Sequence, residues 1–160
     1  MKKILLFIAI TASLTANAQI RKVSLQASGL TCSMCSNAIN RSLKTLDFVQ
    51  QVDADFKSYT FEISFKPGYA IDFDMLRQKV ENAGFTVCAF IVDINFSNLQ
   101  LKNTEPVIIQ NNSFLFVNPA DQVLDGSQKI KIVDKGFVTP KEYKKNGLLV
   151  ASPPIYHVTL

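Results

Sequence analysis

Two sulfurs three positions apart carry the most specific chemistry in this chain. Cys32 and Cys35 stand in Gly29-Leu30-Thr31-Cys32-Ser33-Met34-Cys35-Ser36. The residues before them alternate as a strand, and those after them repeat as a helix. At i and i+3 across a helix start, both side chains reach the same side. Helix N-terminal amides and the helix dipole favour negative charge there. Thiol pKa values fall in such places, so thiolate is available near neutral pH. Two thiolates without a carboxylate or imidazole beside them prefer soft ions, Cu(I) above all, with Zn(II) or Hg(II) after it. Mg(II) and Ca(II) want oxygen ligands and are not served. A closed structural zinc site takes four ligands, and the whole chain holds three Cys and one His. An open, low-coordinate site fits better. The same pair could instead close as a disulfide after export, or cycle between dithiol and disulfide.

Other residues with ligating chemistry are fewer. Cys88 follows Phe85 by three positions, at the start of a predicted strand near the sulfur loop. It is a candidate third ligand, set against the ordinary role of a small buried apolar residue. Met34, between the two sulfurs, reads as an exposed loop residue. His157 has no companion ligand in the sequence and reads as a surface or packing residue. Lys141, Lys144 and Lys145 read as a solvated helix face. No Ser-His-Asp set, phosphate loop or paired-carboxylate signature stands out, so a non-catalytic protein is expected.

The elements that position the sulfurs follow from periodicity. Arg21–Ser28 alternates, with Val23, Leu25 and Ala27 on one face, and reads as a half-buried strand. From Ser36 to Leu46, Ile39, Leu43 and Leu46 form one helical face, with Ser33 or Ser36 as the cap. Val49–Phe56 and Tyr59–Lys66 read as a hairpin. A second helix runs from about Asp72 to Ala83. Asp72 caps it, Phe73, Leu76, Val80 and Ala83 form its buried stripe, and Gly84 stops it. Phe85–Phe96 suits a final strand. Strand, helix, strand, strand, helix, strand is the ferredoxin-like α+β order, two helices on one face of an antiparallel sheet. Beyond it, 106–110, 113–118, 128–133 and 155–160 read as short strands, and 139–145 as a short helix with Pro140 at its first position. Residues 99–160 are expected to form a second, mostly β unit, either a partly open barrel of the oligonucleotide/oligosaccharide-binding (OB) type or an appendage packed on the first. The expected division is therefore 1–18, 19–98 and 99–160.

The first eighteen residues read as a secretory signal peptide: Lys2 and Lys3, an apolar run from Ile4 to Ile10, and a small-x-small cleavage site at Ala16-Asn17-Ala18. The run is far shorter than the roughly 20 residues of a membrane span. The longest later apolar run, 85–96, is interrupted by Asp93. The expectation is an exported, soluble protein, periplasmic or secreted, without stable membrane insertion. Of 17 basic residues, losing Lys2 and Lys3 leaves 15 against 13 acidic ones, a net charge of +2. That balance argues against nucleic acid as a partner. Three cysteines do not pair off as a disulfide framework would.

Gly29-Leu30-Thr31-Cys32-Ser33-Met34-Cys35 resembles the Gly-Met-Thr-Cys-x-x-Cys signature of the heavy-metal-associated domain family. That family includes copper chaperones, N-terminal modules of copper-transporting ATPases and the periplasmic mercury-binding protein. Val80-Glu81-Asn82-Ala83-Gly84-Phe85 is similar to the family's second-helix ending. The resemblance spans residues 21–96. It implies a ferredoxin-like fold, Cys32 and Cys35 as metal ligands, and a metal-transport or envelope protein as partner. Leu30 stands where the family usually has Met and keeps its apolar volume. Phe85 falls near the family position that approaches the metal loop from the other side. The expected function is a Cu(I) chaperone or scavenger. The rival readings are an envelope interaction module with a Cys32–Cys35 disulfide, and a thiol–disulfide oxidoreductase.

Overall fold

A computed structural model of the chain describes residues 18–30, 33–101, 105–117, 122–146 and 155–160. Residues 1–17 of the expected signal segment 1–18 lie outside the described residues. The first part runs β1 (Gln19–Ser28), α1 (Ser33–Leu43), β2 (Val49–Asp55), β3 (Thr60–Phe65), α2 (Phe73–Asn82) and β4 (Thr86–Gln100). These strands lie in the order β2-β3-β1-β4, every neighbour antiparallel. That is the ferredoxin-like arrangement.

Alternation in β1 decides which way it faces. Val23, Leu25 and Ala27 are buried, against Ile39 and Leu43 of α1 and Leu76 and Val80 of α2 in one core. Lys22 points to the other face, where its ammonium meets Glu62 of β3 at 2.8 Å. α2 starts where Asp72 accepts the Met75 N–H at 2.9 Å, a side-chain N-cap. It ends before Gly84, whose φ of 89° a side chain would resist. Phe73, Leu76 and Val80 are buried as the spacing predicts, whereas Ala83, expected to complete the stripe, is the C-cap residue and only half-buried because the helix has ended at Asn82.

Past Phe96 the chain departs from expectation. β4 continues to Gln100 through a register shift between Phe96 and Leu99. At that shift Asn98 takes φ 49°, and its N–H donates to Asp125 Oδ1 at 3.1 Å. Then come β5 (Val107–Ile109), β6 (Asn112–Phe116), β7 (Val123–Ile132), α3 (Pro140–Asn146) and β8 (Ile155–Thr159). β7 pairs antiparallel with β4 from Ile91↔Lys131 to Gln100↔Val123. The result is one eight-stranded sheet, β2-β3-β1-β4-β7-β8-β6-β5, in which β8 runs parallel to β6.

The β-rich character expected of 99–160 is present, but the strands extend the first sheet and close no barrel of their own. The physical reason is an open ladder edge. A four-stranded ferredoxin-like unit leaves one side of β4 unpaired, and β7 satisfies those backbone groups. The packing agrees. Phe73 of α2 sits with its ring centroid 5.5 Å from Phe90, 6.0 Å from Phe114 and 5.3 Å from Tyr156. The appendage alternative is therefore the one the packing supports. Among the described residues, no helix is long and apolar enough to cross a membrane.

Candidate metal centre

β1 delivers the chain to the sulfur loop through Gly29, which takes φ +85°. This is the left-handed region, where a Cβ is strained. A Cβ built there would come 4.0 Å from Phe85 Cδ1. Phe85, half-buried between α2 and β4, therefore abuts the loop as the family resemblance implies. Leu30 is 7% exposed and belongs to the core. Thr31 and Cys32 lie outside the described residues.

α1 begins at Ser33, three residues earlier than its apolar repeat suggests. Cys35 is thus the third residue of the helix rather than the end of a loop. In that first turn the backbone N–H groups have no intrahelical acceptor and the helix dipole favours a thiolate. The sulfur is half-buried and packs against the core. Ser36 is not a cap: it lies inside the first turns, 1% exposed, with its hydroxyl oxygen buried and unpartnered. Met34 is 79% exposed, as read from sequence.

Cys88 lies on β4 where the register against β1 slips. Gln26 pairs with Ala89 and Ala27 with Val87, so Cys88 is the extra residue of a bulge. Its thiol donates to Gln26 O at 3.4 Å. It is half-buried rather than fully enclosed, so neither sequence expectation describes it completely. Burial pushes its pKa above the usual thiol value, and the nearby Lys131 ammonium only partly opposes this. A raised pKa means less thiolate at neutral pH and a less ready ligand. In the Cys32→Ser/Cys35→Ser background, Cys88 is therefore expected to react severalfold more slowly with iodoacetamide than free cysteine does. Mass spectrometry of the labelled peptide over time measures this. Equal rates would show that burial does not control the thiol.

Among the described residues no group of three or more His, Cys, Asp or Glu is placed to hold a metal ion. His157 is buried and is no surface residue. Its backbone N–H donates to Asp134 Oδ2 at 2.8 Å and its Nδ1 lies 2.7 Å from Asp134 Oδ1. That pairing gives it the packing role, with a partner the sequence did not reveal.

Residues 24–86 match the heavy-metal-associated domain. The chain is 27% identical over 118 residues, 73% of its length, to "Probable copper-transporting ATPase HMA5" of Arabidopsis thaliana, and spans 12% of that relative's length. Among solved structures it is similar to a yeast copper transporter domain determined in apo and Cu(I)-loaded states. There the identity is 29%, covering 41% of this chain and 88% of that one, with a TM-score of 0.37. A copper-binding domain of the P-type ATPase HMA7 is 25% identical, covering 44% of this chain and 97% of that one, with a TM-score of 0.38. The matched stretch, residues 24–86, runs from within β1 through the Cys-x-x-Cys loop and both helices to the first residue of β4, and it is this part of the chain that is similar to the heavy-metal-associated domain.

Proposed function

We propose that this chain is an exported soft-metal-binding protein, a Cu(I) chaperone or scavenger that holds its cargo between the thiolates of Cys32 and Cys35. The observation that carries the proposal is the domain match across a Cys-x-x-Cys at the β1–α1 junction. Two cysteine thiolates suit a soft monovalent ion. Such a site also suits transfer. An incoming partner thiolate can add to the metal before the first ligands leave, so the ion is never set free. Gly29 and Phe85 stand close together where β1 enters the loop, and the first turn of α1 supplies amides that favour thiolate. Zn(II) and Hg(II) share this preference for sulfur and are the competing cargoes. The role is binding and handover to a metal-transport or envelope protein, without catalysis. The charged and apolar start of the chain is what supports export.

The test is an anaerobic Cu(I) titration of the reduced protein against a chromophoric chelator, with the Cys32→Ser/Cys35→Ser variant alongside. Tight one-to-one binding that the variant lacks is expected. Equal competition by both proteins would overturn the proposal and favour a disulfide-locked interaction module.

A further inference from the structure

The chain beyond β7 builds a second concave site. A cleft of about 500 Å³ opens between the start of β4 and α3, lined by Thr86, Lys135, Gly136, Val138, Tyr143 and Lys144. Its walls are held from several directions. Phe137 packs edge-on to Phe90 at 5.1 Å and to Tyr156 at 5.7 Å. The Arg77 guanidinium of α2 lies over the Phe137 ring at 5.6 Å. Asp134 is fixed by both hydrogen bonds to His157. Thr139 Oγ1 accepts the Glu142 N–H at 3.3 Å, which caps α3. Glu142 in turn pairs with Lys131, tying α3 to β7. A cleft on such supports is formed before any ligand arrives.

Its chemistry is two-sided. The surface is mainly apolar, from Val138, Pro140 and Tyr143, yet two ammonium groups stand at it. Among the described residues neither Lys135 nor Lys144 forms an ion pair, whereas Lys22 and Lys131 do. Isolated surface lysines are ordinary. Two unpaired ones beside a shaped apolar cavity are the elements of a small-molecule site, an apolar body with a few polar anchors. The volume falls in the roughly 300–1,000 Å³ range of such sites. Its extent is far below the roughly 800 Å² that each partner of a protein–protein interface contributes.

We propose that this cleft binds a small amphipathic carboxylate, with the Lys135 and Lys144 ammonium groups taking the carboxylate and Val138, Pro140 and Tyr143 taking the apolar body. The site lies at the sulfur-loop end of the sheet, since Thr86 pairs with Ser28 at the end of β1. It does not depend on metal.

Decanoate is the probe, titrated into isotopically labelled protein and followed by amide NMR. Saturable shifts are expected at Thr86, Gly136, Val138 and Lys144. The same titration of Lys135→Glu/Lys144→Glu should show binding weakened by about tenfold or more, since each exposed charge is both lost and reversed. Both lysines are exposed, and unchanged shifts across β1–β3 would verify that the variant folds. Decyltrimethylammonium, with the same chain and opposite charge, should bind less tightly than decanoate. Non-saturating or scattered shifts, equal affinity in the variant, or equal binding of the cationic probe would each overturn the proposal. Running the titration also in Cys32→Ser/Cys35→Ser separates it from the metal reading, because decanoate binding should persist there.

Discussion

Cys35→Ser is expected to weaken Cu(I) binding by roughly three orders of magnitude, measured by chelator competition under reducing, anaerobic conditions. A serine hydroxyl stays protonated at neutral pH and is a hard donor, so it does not replace a thiolate for Cu(I). The size follows from sulfur-rich zinc sites, where four ligands give an apparent binding energy of about 10–16 kcal/mol. One ligand then corresponds to about 3–4 kcal/mol, or two to three powers of ten. A site with only two strong ligands sits at the upper end, because no remaining group takes over. The fold should survive, since the sulfur is half-buried in the first turn of α1 and serine tolerates that position. Cys88→Ser run in parallel should change affinity little, because its thiol is held by Gln26 O and burial keeps it protonated. A Cys88→Ser loss as large as that of Cys35→Ser would mean a three-sulfur site.

Phe73→Ala should lower the unfolding free energy by about 3–5 kcal/mol, the usual cost of emptying a buried phenylalanine site. The ring is fully buried and meets Phe90 of β4, Phe114 of β6 and Tyr156 of β8. Its edge-on contacts add to the area lost. Around it the cavity cannot collapse easily, because Tyr156 is also anchored by donating its hydroxyl to Asp74 Oδ2 at 3.0 Å. The same side chain thus bridges the β1–β4 part and the strands added to it. Urea unfolding followed by far-ultraviolet circular dichroism and by tyrosine fluorescence should show one coincident transition, shifted to lower denaturant in the variant. Two separated transitions, with only one displaced, would mean that residues 99–160 hold together independently.

The part that matches the heavy-metal-associated domain was legible because its signals are local. Alternation in β1, the Asp72 cap, the 73/76/80 stripe and the Gly84 stop each act within a few residues, and each appears as expected. The start of α1 was misplaced by three residues because Ser33 and Met34 carry no apolar repeat, and the pattern begins only near Ile39. What could not be read was which edge the later strands would join. That depends on β4 running past Phe96 through the Asn98 kink, and on pairing between residues some thirty positions apart. The Asp134 partner of His157 was hidden for the same reason, being 23 residues away in a turn. Lys144 read as part of a solvated helix face, since only the placement of α3 beside the start of β4 makes a cleft there.

The position of β8 bears on how the molecule is made. It is the last strand along the chain, yet it lies between β7 and β6. Until residues 155–159 emerge from synthesis, β6 and β5 have no strand ladder joining them to the rest of the sheet, and β7 offers a bare edge. The growing polypeptide can assemble β1–β4 with both helices early, but the outer strands must wait. In that interval Phe114, Phe116, Ile130 and Ile132, all buried in the finished molecule, stand exposed beside unpaired backbone, the condition under which nascent chains associate wrongly. A holdase that covers this stretch until the final strand arrives would raise the yield, whereas a stop codon placed before Ile155 would leave a chain that aggregates.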